Sequence, residues 1–290
     1  MTGVRRLDMA DAAALYLDLL KKALTGYLYR HENERELVAL QVWESTPLLR
    51  AFPKRAILLA LRLSPYKLYK EMTLDSRAQE EGRGFSKDAH TMIGLKRLEN
   101  VQYCIERVLA DNIPGDLIET GVWRGGSTIF MRGVLKAHGV SDRCVWVADS
   151  FEGLPPPQAG HGADAGARWH EREELKISLE TVKRNFESYA LLDDRVRFLK
   201  GFFKDTLPGA PIEALSVLRL DGDMYGSTME ALNALYDKLS PGGFCIIDDY
   251  AIDACKTAVD EFRATRGIKD EIQRVDWMGV FWRKTGSAVK

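Results

Sequence analysis

The sequence predicts a doubly wound α/β fold: a mostly parallel sheet covered by helices, with an antiparallel strand near the C-terminus and an N-terminal helical extension. Three observations carry this. After about residue 85, short β-branched and apolar runs alternate with amphipathic stretches of helical length, the signature of parallel strands joined by crossover helices. A glycine-bearing turn follows the first of these runs. Acidic residues then recur just beyond later runs, at the carboxyl edge where an open α/β sheet holds its ligands.

In chain order, residues 1–85 form the extension, with Leu- and Ala-rich helical patterns broken at Pro53 and Pro65. Residues 86–290 form the sheet domain. Its strands are expected at 116–120, 144–148, 196–199, 215–220 and 244–247, each an apolar run of strand length. Residues 271–275 and 280–283 read as two further short strands, a hairpin that places an antiparallel member in the sheet. The segment LPPPQAGHGADAGARWH at 154–170 has the composition of a mobile loop. Lying just past the second strand, it is either a lid over the crevice or a surface insertion.

Composition narrows the functional classes. Lys plus Arg number 41 and Asp plus Glu 42, so the net charge of −1 supplies no field that would gather nucleic acid. With 290 residues and 46% hydrophobic content, the chain buries a core without staples. Cys104, Cys144, Cys245 and Cys255 form no C-x-x-C pair, which fits a reduced, cytoplasmic setting. Asp8, Asp11, Asp18, Lys21 and Lys22 follow Arg5 and Arg6 and leave no apolar signal-peptide core. The most apolar run, 56–63, is too short to span a bilayer and contains Arg62. The basic, apolar stretch at 53–70 reads as a helix packing on a partner subunit, so a homo-oligomer, with a dimer favoured, is expected.

The chemical signals lie at the strand ends. Glu119-Thr120-Gly121-Val122-Trp123-Arg124-Gly125-Gly126-Ser127 joins the first strand to a helix. A dinucleotide fingerprint has a glycine where this turn has Trp123. The bulky side chain argues against a pyrophosphate and for a nucleoside cofactor without phosphates. Asp149, ending the second strand, is placed to accept both hydrogen bonds of a ribose diol. Asp221 and Asp223 end the fourth strand and Asp248 and Asp249 the fifth. Four acids at one sheet edge repel one another and call for a hard cation: magnesium, manganese or calcium. The alternative for Asp249 is an N-cap of the helix starting near residue 253. The histidines receive no catalytic role. Trp123, Trp146, Trp277 and Trp282 are expected in the core, and Trp169, in the loop, is the candidate for acceptor contact.

ETGVWRGGS, ADSFEGLP at 148–155, LRLDGDMYGST at 218–228 and PGGFCIIDDY at 241–250 together resemble the macrocin-type sugar O-methyltransferases. That resemblance covers residues 91–282, whereas little of the first thirty residues can be matched. It implies a Rossmann-like methyltransferase domain that uses S-adenosylmethionine and Mg2+ to methylate a hydroxyl of a deoxysugar attached to a natural product, as in antibiotic biosynthesis. Carried over, Thr91, Met92, Glu119, Thr120 and Gly121 line the methionine and sulfonium part of the cofactor. Asp149 and Ser150 hold its ribose, Gly201 and Phe202 border the adenine, and Ser227 lies near the cofactor. Asp221, Asp248 and Asp249 match the metal ligands. Asp223 is left as general base, or as a residue orienting a metal-bound water. Three rivals stay open: a catechol-type methyltransferase, a nicotinamide oxidoreductase, which Trp123 disfavours, and a non-enzymatic membrane-surface or scaffold protein.

Overall fold

A computed structural model describes residues 9–29, 34–37, 69–72, 75–157 and 162–286. The apolar runs form strands β3 (Asp116–Thr120), β4 (Val145–Asp149), β5 (Val196–Lys200), β6 (Leu215–Leu220), β7 (Leu239–Ile247) and β9 (Val280–Arg283), with β8 (Gln273–Arg274) completing a seven-stranded sheet. Its order is β5-β4-β3-β6-β7-β9-β8. Strands β3 to β7 run parallel, and β9 lies antiparallel between β7 and β8. β6, at the centre, is buried at every position, as a strand covered on both faces must be. β5, at the edge, is only partly buried and exposes Arg197 and Lys200, charges that discourage a further strand from adding there.

The period of two along each strand divides the core into two layers. Leu117, Val145, Val147, Val217 and Ile246 face one layer. There they meet α1 (Met9–Leu24), α3 (Leu95–Ala110), α4 (Gly126–Ala137) and α5 (Leu179–Ser188). Ile118, Trp146, Ala148, Leu218 and Ile247 face the other, against α7 (Tyr225–Leu235) and α8 (Asp253–Thr265). The short helices α2 (Ser76–Glu80) and α6 (Phe203–Thr206) complete the set.

The described part of the N-terminal extension packs into the sheet domain. Leu17, Leu20 and Leu24 share one apolar layer with the sheet, and the Leu24 carbonyl accepts the His90 N–H at 2.8 Å. A Cβ on Gly133 of α4 would collide with a Leu20 methyl, so α1 lies as close to α4 as a bare helix surface permits. Strands β1 (Glu34–Leu37) and β2 (Tyr69–Met72) form a separate antiparallel pair. This corrects the helical reading at Tyr69 and Lys70. Residues 53–68 of the basic stretch, including the apolar run at 56–63, lie outside the described residues, as do Arg5, Arg6, Asp8 and His31.

Two strands depart from expectation by more than a single residue. β7 begins at Leu239, five residues before the expected start, and the first hairpin strand shrinks to Gln273–Arg274. Within the 154–170 segment, Asp164 is buried, and its two carboxylate oxygens accept the N–H groups of Tyr225 (2.7 Å) and Gly226 (3.0 Å). Residues 158–161 of that segment lie outside the described residues; its part around Asp164 is pinned to the first turn of α7, whose amides have no partner within the helix. Cys104, Cys245 and Cys255 are buried, Cys144 is partly so, and all four are free thiols. No helix among the described residues is long and apolar enough to cross a membrane.

Gly121, directly after β3, holds φ at 82°, and a Cβ there would collide with the Asp221 carbonyl at the end of β6. Only glycine allows both the left-handed turn and that approach. Gly121→Ala should therefore lower the unfolding free energy by about 2–4 kcal/mol, combining the backbone penalty with overpacking. Urea unfolding followed by circular dichroism measures it, and an unchanged midpoint would refute the close contact.

Candidate functional site

Connections from β3 and β6 leave toward opposite sides of the sheet, so a crevice opens at their carboxyl ends. A cavity of about 470 Å³ occupies it, within the usual range for a small-molecule site. Register decides what faces it from below. Glu119 of β3 pairs with Arg219 of β6, and Arg219 pairs with Ile246 of β7, two residues before Asp248. Glu119, Arg219 and Asp248 consequently share one sheet face, the face that α3 covers.

On that face Arg219 is fully buried. Its Nη1 donates to Glu119 Oε1 and, at 3.0 Å, to Asp221 Oδ2; its Nη2 donates to Asp248 Oδ1. Arg97 of α3 donates from Nη1 to the other oxygen of Asp248 and from Nε to Asp276 Oδ2 at 2.9 Å. Burial alone would lower the pKa of Arg219, but Asp248, Glu119 and Asp221 outweigh it and leave it raised. Burial pushes Glu119 up to about 8 against the pull of Arg219.

Beside this hub lie Asp221, Asp223 and Asp249, whose carboxylate oxygens fall within 4.8 Å of one another. Burial, then the neighbouring acids, raises Asp221 to about 6 and Asp223 to about 7, and pushes Asp249 well above the carboxylate range. Three acids that resist ionising together form a site short of positive charge, and an all-oxygen set of this kind suits a hard divalent ion. Asp248, expected with Asp221 and Asp249, instead has its two oxygens on Arg219 and Arg97, and Asp223 stands in the tight group. The two guanidiniums supply part of the positive charge that a count of acids assigns wholly to a metal. The capping alternative for Asp249 is not what forms: its Oδ2 accepts the Asp223 N–H at 3.0 Å, and Ile252 caps α8 without a side-chain bond.

Asp223 sits at φ 55°, in a three-residue turn closed by Met224 N–H donating to the Gly222 carbonyl at 2.5 Å. Such a turn is uncommon and strained. It carries the residue put forward as the base.

Thr91, Met92, Glu119, Gly121, Asp149, Ser150, Phe202 and Ser227 also line the cavity. Thr120 and Gly201 do not: Thr120 is buried behind Gly121, and Gly201 donates its N–H to the Asp149 carbonyl at 2.9 Å. The Asp149 carboxylate accepts the N–H groups of Val122 (2.8 Å) and Phe151 (2.7 Å), so it builds the glycine turn as well as facing the cavity. Burial raises its pKa despite those amides. Glu119 Oε2 is buried without a hydrogen-bond partner.

Several aromatic and cationic positions were not anticipated at the cavity, among them Phe85, Arg83, Arg97, Arg172, Phe203, Lys204 and Trp277. Trp123 and Trp277, expected in the core, line it, whereas Trp146 and Trp282 are buried as expected. Trp169 lines it too. Arg219 had a legible signal: it occupies an inward position of an otherwise apolar strand, where an arginine requires anionic partners. Arg97 had none, since its partners lie more than 150 residues away. His90 pairs with the Tyr189 hydroxyl at 2.7 Å and His138 with Glu106 at 3.1 Å, away from the acids. His170 lies in the loop, and His161 lies outside the described residues.

The family model described as macrocin O-methyltransferase (TylF) matches residues 13–284. The 8-demethyl-8-(2,3-dimethoxy-alpha-L-rhamnosyl)-tetracenomycin-C 4'-O-methyltransferase of Streptomyces olivaceus is 51% identical over 97% of this chain and 96% of its own length. The mycinamicin III 3''-O-methyltransferase of Micromonospora griseorubida is 47% identical over 96% of this chain and its own full length. The solved structure of the O-methyltransferase NovP superposes with a TM-score of 0.79 at 46% identity, covering 94% of this chain and 100% of that one. These matches include the N-terminal region that carries no recognisable motif, which corrects its apparent departure. Amphipathic segments preserve a pattern of burial rather than a fixed string of residues.

Arg219→Met should lower stability by about 3–5 kcal/mol in alkali, because it leaves Glu119 and Asp221 without their cation and Asp248 with Arg97 alone. Against burial, Arg219 holds Glu119 and Asp221 down at about 8 and about 6, so in the variant both take up protons above those values, and the stranded charge is relieved as pH falls toward them. The deficit should be largest in alkali and shrink as pH falls toward about 6 in urea titrations. A deficit independent of pH would show that the arginine contributes packing rather than charge.

Proposed function

This chain belongs to the macrocin O-methyltransferase family, and on that premise we propose that it methylates a hydroxyl of a sugar attached to a natural product, using magnesium at its acid cluster. It is an S-adenosylmethionine-dependent O-methyltransferase. The observation that carries the proposal is the placement of the Asp221, Asp223 and Asp249 group in the same cavity as the Gly121 turn and Asp149. The sugar reading, preferred to a catechol, is supported by the rhamnosyl group named in the tetracenomycin relative's substrate.

Gly121, Thr91 and Met92 enclose the methionine end of the donor, and Asp149 with Ser150 accepts the ribose hydroxyls. Asp221 and Asp249 would hold the ion, with Asp248 beside them, its two oxygens on Arg219 and Arg97. When bound, the ion supplies a Lewis acid that orients neighbouring acceptor oxygens and weakens the hold of the attacking hydroxyl on its proton. The hydroxyl oxygen bonds to the methyl carbon of the donor as the carbon–sulfur bond breaks and the neutral thioether leaves, and the Asp223 carboxylate receives the hydroxyl proton. The products are a methyl ether and S-adenosylhomocysteine. Asp223 also belongs to the tight acid group, which favours a second reading in which it helps hold the ion. The same proposal sets the enzyme in the cytoplasm as a homodimer, supported by Leu15 and Leu19, which lie exposed four residues apart on α1.

Isotope-labelled methyl transfer to a panel of glycosides, beginning with rhamnosyl-tetracenomycin C and methyl α-L-rhamnoside and including a catechol control, tests the acceptor class. Chelation should abolish transfer and magnesium restore it; full turnover after chelation would sink the metal assignment. Asp223→Asn should lower kcat by roughly 10²–10⁴-fold with near-normal donor affinity. Recovery at saturating magnesium would make Asp223 an ion holder instead of the base. Asp149→Ala should weaken donor binding by about 1.5–3 kcal/mol in calorimetry, and unchanged affinity in the folded variant would remove the ribose assignment.

A further inference from the structure

The turn at 276–279, between β8 and β9, is held from several directions at once. Asp276 Oδ1 accepts the N–H groups of Met278 and Gly279, each at 2.8 Å, while its Oδ2 accepts Arg97 Nε at 2.9 Å. The Trp277 indole N–H donates to the Glu81 carbonyl at 2.8 Å, and the Arg83 guanidinium lies 5.1 Å from the indole centroid. The Met278 carbonyl accepts the Ala251 N–H at 3.2 Å. Trp277 and Met278 line the cavity. Nothing about the hairpin itself requires an immobile, half-buried tryptophan there.

The turn also abuts Asp248, the neighbour in sequence of Asp249 in the acid cluster. Arg97 joins Asp276 directly to Asp248, and a Cβ built on Gly279 would stand 3.5 Å from the Asp248 carbonyl oxygen. The Gly121 turn and Asp149 belong to β3 and β4, on the far side of β6 from this turn. A molecule presenting a hydroxyl to the acids therefore has the hairpin turn as a neighbour. The one polar atom of the indole is committed to Glu81, so the ring offers the cavity an apolar surface.

We propose that the 276–279 turn is a specificity wall of the acceptor site: Trp277 receives an apolar ring face of the acceptor, and Arg97, through Asp276, is the positioning residue that sets it beside the acid cluster. The inference rests on the sugar-methylation reading of the site. An apolar ring face belongs either to the sugar or to the group that carries it.

The test compares acceptor KM, kcat and donor affinity for the wild-type enzyme, Trp277→Leu, Trp277→Phe and Asp276→Asn, with methyl α-L-rhamnoside, rhamnosyl-tetracenomycin C and every other acceptor that the panel shows to be methylated. Trp277→Leu should raise acceptor KM by roughly 10-fold, the scale of a lost aromatic contact, with kcat and donor affinity within about twofold. Trp277→Phe should recover most of the loss. Asp276→Asn keeps an acceptor for the turn amides and breaks the ion pair with Arg97, so it should raise KM in part. A rise with simple methyl glycosides places the sugar ring against Trp277, and a rise confined to full glycosides places the carrier there. Unchanged acceptor KM in folded Trp277→Leu, or donor affinity falling in step with it, overturns the proposal while leaving sugar methylation intact. If wild-type enzyme binds the donor yet methylates no glycoside, the functional reading fails and the specificity wall fails with it.

Discussion

A single buried guanidinium organises the carboxyl edge of this sheet. Arg219 lies on the central strand, out of contact with solvent, and an arginine in that position persists only when anionic groups meet it from several sides. Glu119 from β3, Asp248 from β7 and its own neighbour Asp221 meet it. The relative register of three strands is therefore tied to a charge pattern as well as to packing, since a one-residue slip would turn Arg219 into the opposite apolar layer. Arg97 extends the same network from α3 to the C-terminal hairpin. The framework that shapes the cavity and the electrostatics inside it are thus one structure.

That arrangement leaves a graded set of acids. Asp248 has one arginine on each carboxylate oxygen. Asp221 shares one cation and also faces the cavity. Asp223 and Asp249 have no arginine on their carboxylates among the described contacts, and burial holds both reluctant to ionise. Position in the network, rather than residue type, separates the surroundings of four chemically identical side chains.

Much of the fold was legible because it depends on local pattern. Apolar runs of strand length at 116–120 and 215–220 coincide with β3 and β6, and the late hairpin correctly announced an antiparallel strand. The crevice residues Thr91, Met92, Gly121 and Asp149 were legible from motif and order. What escaped was long-range. The pairing of Arg97 with Asp248 and Asp276 depends on helix-to-strand packing that no local window contains. The cavity position of Trp277 depends on a hairpin turn folding back over the sheet edge, so its bulk alone suggested the core. The ribbon of β1 and β2 joins segments separated by more than thirty residues, and the residues of each strand carry no strong alternation of their own.

The close seating of α1 against α4 bears on how such enzymes can be recombined. Gly133 leaves room for Leu20, with Tyr16 and Leu191 at the margins of the contact, so the first helix is fitted to a particular groove in the catalytic body. A chimera that imports the N-terminal segment of another family member imports one half of that fit. Transplanting it requires the facing residues of α4 and the loop after α5 to travel with it. The beginning of the chain is inherited as an inlaid part, and its exchange is a problem of interface redesign rather than of joining modules end to end.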